Sequence, residues 1–232
     1  MEQGRYARYG AASGILAVIL TLVGFLLFGS DIPDADGTAL EWFSFFVKHQ
    51  DRIQTGMTIV GIGLLFFIWF LGSLRDAIAG VEGGGARLAS IAFGGGLVAT
   101  AALVAGVSAY LAAAFHPLQI GPGVTRGLSD FGTLVAAPAA AGFTAMFAAV
   151  AVAGYRLKAL PAPVAGISAL AAIGQLFAYP TAVTDSGAFA PDGVLGLWVP
   201  FVTFLVGVLA ISGTLVSRTG VGAGAGRATA SQ

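Results

Sequence analysis

Two histidines, His49 and His116, and eight of eleven carboxylates fall between the apolar runs of this chain, in segments that topology groups on one side. Imidazole with carboxylate is a donor set for zinc or another divalent ion. The spacing does not assemble one: there is no H-x-x-x-H, no H-E-x-x-H and no D-x-D-x-D loop. Asp31, Asp34 and Asp36 in "DIPDAD" could hold calcium only loosely, because the glycine and distal glutamate of an EF-hand loop are missing. With no cysteine, disulfides, thiolate metal sites and thiol nucleophiles are excluded. No G-x-S-x-G motif is present. The sequence therefore assigns no catalytic residue, no metal and no cofactor. His49 and His116 are the side chains that a metal would use.

A second set of residues suits binding. Tyr110, His116, Pro138, Gln175, Tyr179 and Trp198 lie near the same ends of their apolar runs. Proline inside a helix removes a hydrogen bond and tends to kink it. Kinks at Pro138 and Pro200 beside Gln175 and Tyr179 would open a pocket for a lipid or small apolar ligand. The plainer reading has the prolines tolerated, as membrane helices tolerate them, and Gln175 bonded to a neighbouring helix.

The elements that must position these residues follow from composition. Of 232 residues, 9% are charged and 57% hydrophobic, where soluble domains carry roughly 25% charge. Apolar runs near twenty residues recur, so the bilayer is the solvent. The expected fold is all-α: a polytopic six-helix transmembrane bundle over 1–217, with spans at 11–30, 55–74, 88–115, 131–155, 161–181 and 194–217. The apolar stretch after "MEQGRYARYG" is too long for a signal-peptide core and is read as the first span. Net charge is zero, so nothing suggests nucleic acid as a partner.

Orientation follows from the basic residues. With the N-terminus inside, Arg5, Arg8, Arg75, Arg87, Arg156, Lys158, Arg218 and Arg227 are cytoplasmic; Lys48, Arg52 and Arg126 are outside. Eight against three places both termini in the cytoplasm. Tyr6, Tyr9, Trp69 and Tyr155 fall at the inner interface; Trp42, Tyr179 and Trp198 fall at the outer one. The Gly/Ala-rich tail, 218–232, reads as disordered. No Asp, Glu, Lys, Arg or His sits mid-span, which argues against a proton-coupled pump and a bis-histidine haem. The third and fourth spans are rich in Gly and Ala. Small-xxx-small pairs at Gly95/Ala99 and Ala101/Ala105 predict that spans three to five form the packed centre.

The segment "DIPDADGTALEWFSFFVKHQDRIQ" (31–54) reads as a turn followed by a helix over 39–52. Thr38 and Glu41 have capping-box spacing. Ala39, Trp42, Phe43, Phe46 and Gln50 make one face, so the helix is amphipathic and suited to an outer interface or to capping the bundle. It cannot continue straight into the second span and must bend, with Gly56 the expected place, or project outward.

The layout, with its acidic segment after helix one and "FFIWFLGSLRDAI" (66–78) closing helix two, resembles small six-helix membrane proteins common in high-GC bacteria. That resemblance implies a multi-pass bacterial inner-membrane protein and carries no site residues. The function expected is non-catalytic: binding of a lipid, a small apolar ligand or a membrane-protein partner, including a second copy, at the outer half. The alternatives are a transporter or permease subunit, whose halves should repeat, and a membrane enzyme using His49, His116 and outer acids.

Overall fold

The computed structural model describes the backbone of residues 2–29 and 31–229, and the side chains of 8–29 and 31–218. Eight α-helices run in order: α1 (Glu2–Phe28), α2 (Ala39–Lys48), α3 (Gln50–Glu82), α4 (Arg87–Phe115), α5 (Pro117–Leu134), α6 (Ala136–Leu157), α7 (Ala162–Gln175) and α8 (Val199–Thr229). A 3-10 segment, Leu176–Ala182, prolongs α7, and a π turn, Val194–Trp198, leads into α8. Six stretches are long and apolar enough to cross a membrane: Arg8–Phe28, Gln50–Glu82, Arg87–Phe115, Pro117–Leu157, Ala162–Ala182 and Val194–Arg218. The fold is an all-α membrane bundle. The disorder expected for 218–232 falls largely outside the described side chains; the backbone of α8 is helical to Thr229.

The six long helices form a ring in which α1 meets α3, α3 meets α4, α4 meets α6, α6 meets α7, α7 meets α8, and α8 closes back on α1. Alternate members α3, α6 and α8 also touch across the middle. There Phe67, Phe143 and Phe204, one from each, pack as a triangle with ring centroids 6.0, 4.7 and 5.5 Å apart. All three rings are buried, so the axis of the bundle is filled by aromatic side chains.

Lipid tails are as apolar as leucine, so close backbone approach must supply much of the helix association. Two reciprocal glycine contacts provide it. A Cβ on Gly24 of α1 would lie 2.5 Å from the Gly56 carbonyl of α3, and one on Gly56 would lie 2.8 Å from the Gly24 carbonyl. Gly95 of α4 and Gly142 of α6 face each other in the same way, with Ala99 beside them. The Gly95/Ala99 spacing is therefore a true contact. Ala101 is exposed, and Ala105 is only partly buried.

The expected centre is corrected in part. The fourth span is the most buried, with 61% of its most apolar stretch inside, but the third is the least, at 28%. Gly and Ala on α4 serve close contacts with α6, with Leu71 of α3 at Gly96 and with α5 at Gly106, while much of the rest of the helix faces outward. Bulky α3 enters the centre instead, through Phe67, Phe70, Leu71 and Leu74.

The turn "EGGGAR" between α3 and α4 is capped. Glu82 accepts the backbone N–H groups of Leu88 (2.7 Å) and Ala89 (3.0 Å), satisfying two orphan donors of α4. Gly83 and Gly84 take positive φ there, 65° and 51°.

Gly142→Leu should drive a side chain into the α4 backbone and lower stability by about 1–3 kcal/mol. Gly94→Leu, where nothing lies near, should leave it unchanged. Thermal unfolding of both variants in detergent checks the pair.

Candidate functional site

The end of the bundle that carries α2 holds most of the polar organisation. Thr38 caps α2: its hydroxyl accepts the Glu41 N–H at 3.3 Å, and the Glu41 carboxylate accepts the Thr38 N–H at 2.6 Å. The capping box expected from sequence is present. The helix stops earlier than expected, at Lys48. The chain bends at His49 (φ −117°, ψ 23°), not at Gly56, which is held against Gly24.

The buried face is also different. Trp42, Phe45 and Phe46 are inside, while Phe43 is only partly covered. Trp42, assigned by sequence to an interfacial belt, is 5% exposed. The aromatic face of α2 thus turns onto protein. Phe28 of α1, Tyr110, Ala113 and Ala114 of α4, and Ile53 and Met57 of α3 complete one apolar cluster. Phe28 lies 6.1 Å from Phe45 and 4.8 Å from Tyr110; Phe46 stacks on Tyr110 at 6.4 Å. Aromatic pairs of this kind add roughly 0.5–1.5 kcal/mol each beyond area burial.

Against this cluster packs α5, most of which lies between the expected third and fourth spans. It begins with Pro117 at its first position and is broken at Gly121 (φ 75°). Its inner face carries Thr125, Ser129 and Thr133 at successive i+4 positions, each bonding the carbonyl four residues back. Small hydroxyls satisfied this way let α5 lie close to its neighbours. The row ends on Tyr110, whose hydroxyl meets Thr133 Oγ1 at 2.6 Å.

Arg126, also on α5, fastens the cap. Its guanidinium donates to the Ala35 carbonyl (2.6 Å) and the Gly37 carbonyl, pairs with Asp130 at 2.8 Å, and lies 5.5 Å over the Trp42 ring. Trp42 Nε1 in turn donates to the Asp34 carbonyl at 3.3 Å, and Asp192 accepts the Ala35 N–H at 3.0 Å. The turn 31–38 is thereby joined to α2, α5 and the loop before α8. Sequence reasoning missed Arg126. Its i,i+4 spacing with Asp130 was the available signal.

The residues expected to line a pocket are divided between the cluster under α2 and the junction of the 3-10 segment, the π turn and α8. Tyr110 belongs to the cluster under α2. Gln175, buried, donates to the Pro200 carbonyl at 2.7 Å and approaches Thr203 Oγ1 at 3.4 Å. It bridges α7 and α8. His116, Pro138, Tyr179 and Trp198 are exposed, with Trp198 against Phe25 at 5.9 Å. Both prolines lie just after a break between helical segments. Pro138 is third in α6 and removes the bond that would reach Leu134, which is where α5 ends; Pro200 is second in α8.

Among the described residues no three His, Asp or Glu side chains gather to hold a metal. His49 is half-buried with its ring 5.3 Å from Phe45. Desolvation, with Arg52 and Lys48 nearby, lowers its pKa below 6.5, against an opposing pull from Asp31.

No family model, curated protein or solved structure matches the chain.

Two outcomes are expected. Gln175→Leu should cost about 0.6–1.7 kcal/mol of stability, the range for interhelical hydrogen bonds in membranes, read by thermal unfolding. For His49, the unfolded chain takes up a proton before the folded one. Its contribution is therefore present above pH 6.5 and lost as pH falls below that value. His49→Gln should flatten that part of the stability–pH profile.

Proposed function

We propose that this chain is a non-catalytic, multi-pass protein of a bacterial inner membrane. Both termini are cytoplasmic, and it binds a lipid chain or a small apolar molecule beneath α2. The observation that carries this reading is the aromatic cluster of Phe28, Trp42, Phe45, Phe46 and Tyr110. It lies under a separately capped helix, bent away from α3 at His49 and fastened chiefly by Arg126. A short helix set off from α3 by a bend and held at its start by polar contacts, chiefly those of Arg126, is suited to move as a unit, admitting an apolar guest to the aromatic surface it covers.

The basic-residue count supports the orientation, and with it the position of α2 outside. The transporter alternative is less well supported. The bundle axis is filled by Phe67, Phe143 and Phe204, which leaves no path along it. The enzyme alternative has no convergent His and carboxylate groups among the described residues to support it.

The test uses the three tryptophans. With Trp69 and Trp198 replaced by Phe, Trp42 reports alone. A dibrominated fatty acid added to the protein in nanodiscs should quench it saturably, and Arg126→Ala should increase the rate of quenching several-fold. Unquenched Trp42 in both forms would refute binding beneath α2.

A further inference from the structure

At the end of the bundle opposite α2, a cleft of about 430 Å³ between α1 and α8 is lined by Arg8, Tyr9, Ala12 and Val216. Its chemistry is mixed: one guanidinium and one phenol over an apolar floor. The end that bears it is basic. Among the described residues it carries Arg8, Arg75, Arg87, Arg156, Lys158 and Arg218 against Asp76 and Glu82. Both acids are already engaged, Asp76 with Arg75 at 3.5 Å and Glu82 with the start of α4. Arg218 is turned to the Ala159 carbonyl at 2.5 Å. Arg8 is exposed at the mouth of the cleft, beside the exposed ring of Tyr9.

The cleft does not end at its floor. Ala12 shares a helix face with Leu16, Ile19 and Val23, at i+4, i+7 and i+11. Leu16, Ile19 and Val23 are exposed. Val216 shares a face of α8 with Gly213, Leu209, Val206 and Val202; Gly213 leaves open space, and the other three are exposed. Two apolar tracks therefore lead from the cleft toward the middle of the bundle, along helices that touch each other. Ser212 of α8 bonds the Ala11 carbonyl of α1, fixing the two helices just inside the cleft.

We infer that this cleft is a binding site for an anionic phospholipid, its headgroup phosphate against Arg8 and Tyr9 and an acyl chain along the α1–α8 tracks. Charge selects the occupant. A zwitterionic lipid brings its own cation to a basic rim, whereas an anionic one adds net attraction of about 1 kcal/mol per basic residue, or about fivefold in affinity. Tyrosine beside arginine suits the headgroup level, where one end of the ring is wet and the other apolar. The site is separate from the α2 cap and does not depend on any ligand binding there.

Native mass spectrometry of the full-length protein, released from detergent with phosphatidylglycerol or phosphatidylcholine, tests this. Wild type should retain phosphatidylglycerol about fivefold over phosphatidylcholine. Arg8→Gln should abolish that preference, and Ala12→Trp, which fills the cleft without changing charge, should lower retention of phosphatidylglycerol. Arg156→Gln, at the same end but outside the cleft, should leave both unchanged. Millimolar inorganic phosphate should not displace the lipid. The inference is overturned if Arg8→Gln and Ala12→Trp bind as wild type does. An equal loss with Arg156→Gln overturns it too, since only diffuse surface charge would be at work. So does displacement by inorganic phosphate, which would make the cleft a site for the free anion.

Discussion

Backbone polar groups that are cut off from water must find partners within the chain, and this constraint governs nearly every polar side chain described here. Several places where a helix starts or stops are repaired by a nearby side chain. Glu82 covers the first amides of α4, Gln54 and Gln50 reach the last carbonyls of α4, and Gln175 reaches the Pro200 carbonyl. Arg126 does the same for the turn before α2, on two carbonyls at once. The bundle holds several interruptions at its α2 end, and these side chains answer a number of them.

The same constraint explains what was legible in sequence. Apolar length reports directly on the bilayer, so all six spans could be placed. The Thr38/Glu41 box is local chemistry and needed no tertiary knowledge. Gly95 and Ala99 were legible as a seam because only small residues permit backbone contact. The bend was not: Gly56 looked like a hinge but is small in order to meet Gly24, while the actual bend at His49 has no small residue to mark it. The face of α2 was misplaced for a related reason. With Phe43, Phe45 and Phe46 all apolar, only the position of α5 decides which two turn inward.

Polar and proline residues in apolar helices were read as a pocket, since such residues are uncommon there. In the structure Gln175 joins α7 to α8, and Pro138 and Pro200 lie in the first turns of α6 and α8. Arg126 escaped notice as one of three outer cations in a segment that read as loop. Its partners lie about ninety residues away in sequence, at Ala35 and Gly37. α5 itself hid behind Gly121 and Pro122, which break helical periodicity at its start.

The account centres on α2 as a distinct cap held down by Arg126 over an aromatic cluster. Because the chain lacks cysteine, spin labels can be placed at will, and Leu40 on α2 and Leu118 on α5 are both well exposed. Double electron–electron resonance between labels at these two positions, in lipid nanodiscs, measures the cap directly. The account predicts one narrow distance distribution in the parent protein and a broader, longer one when Arg126 is replaced by Ala. An identical narrow distribution in both would show that α2 is held by its packing alone, and would contradict the role given to Arg126.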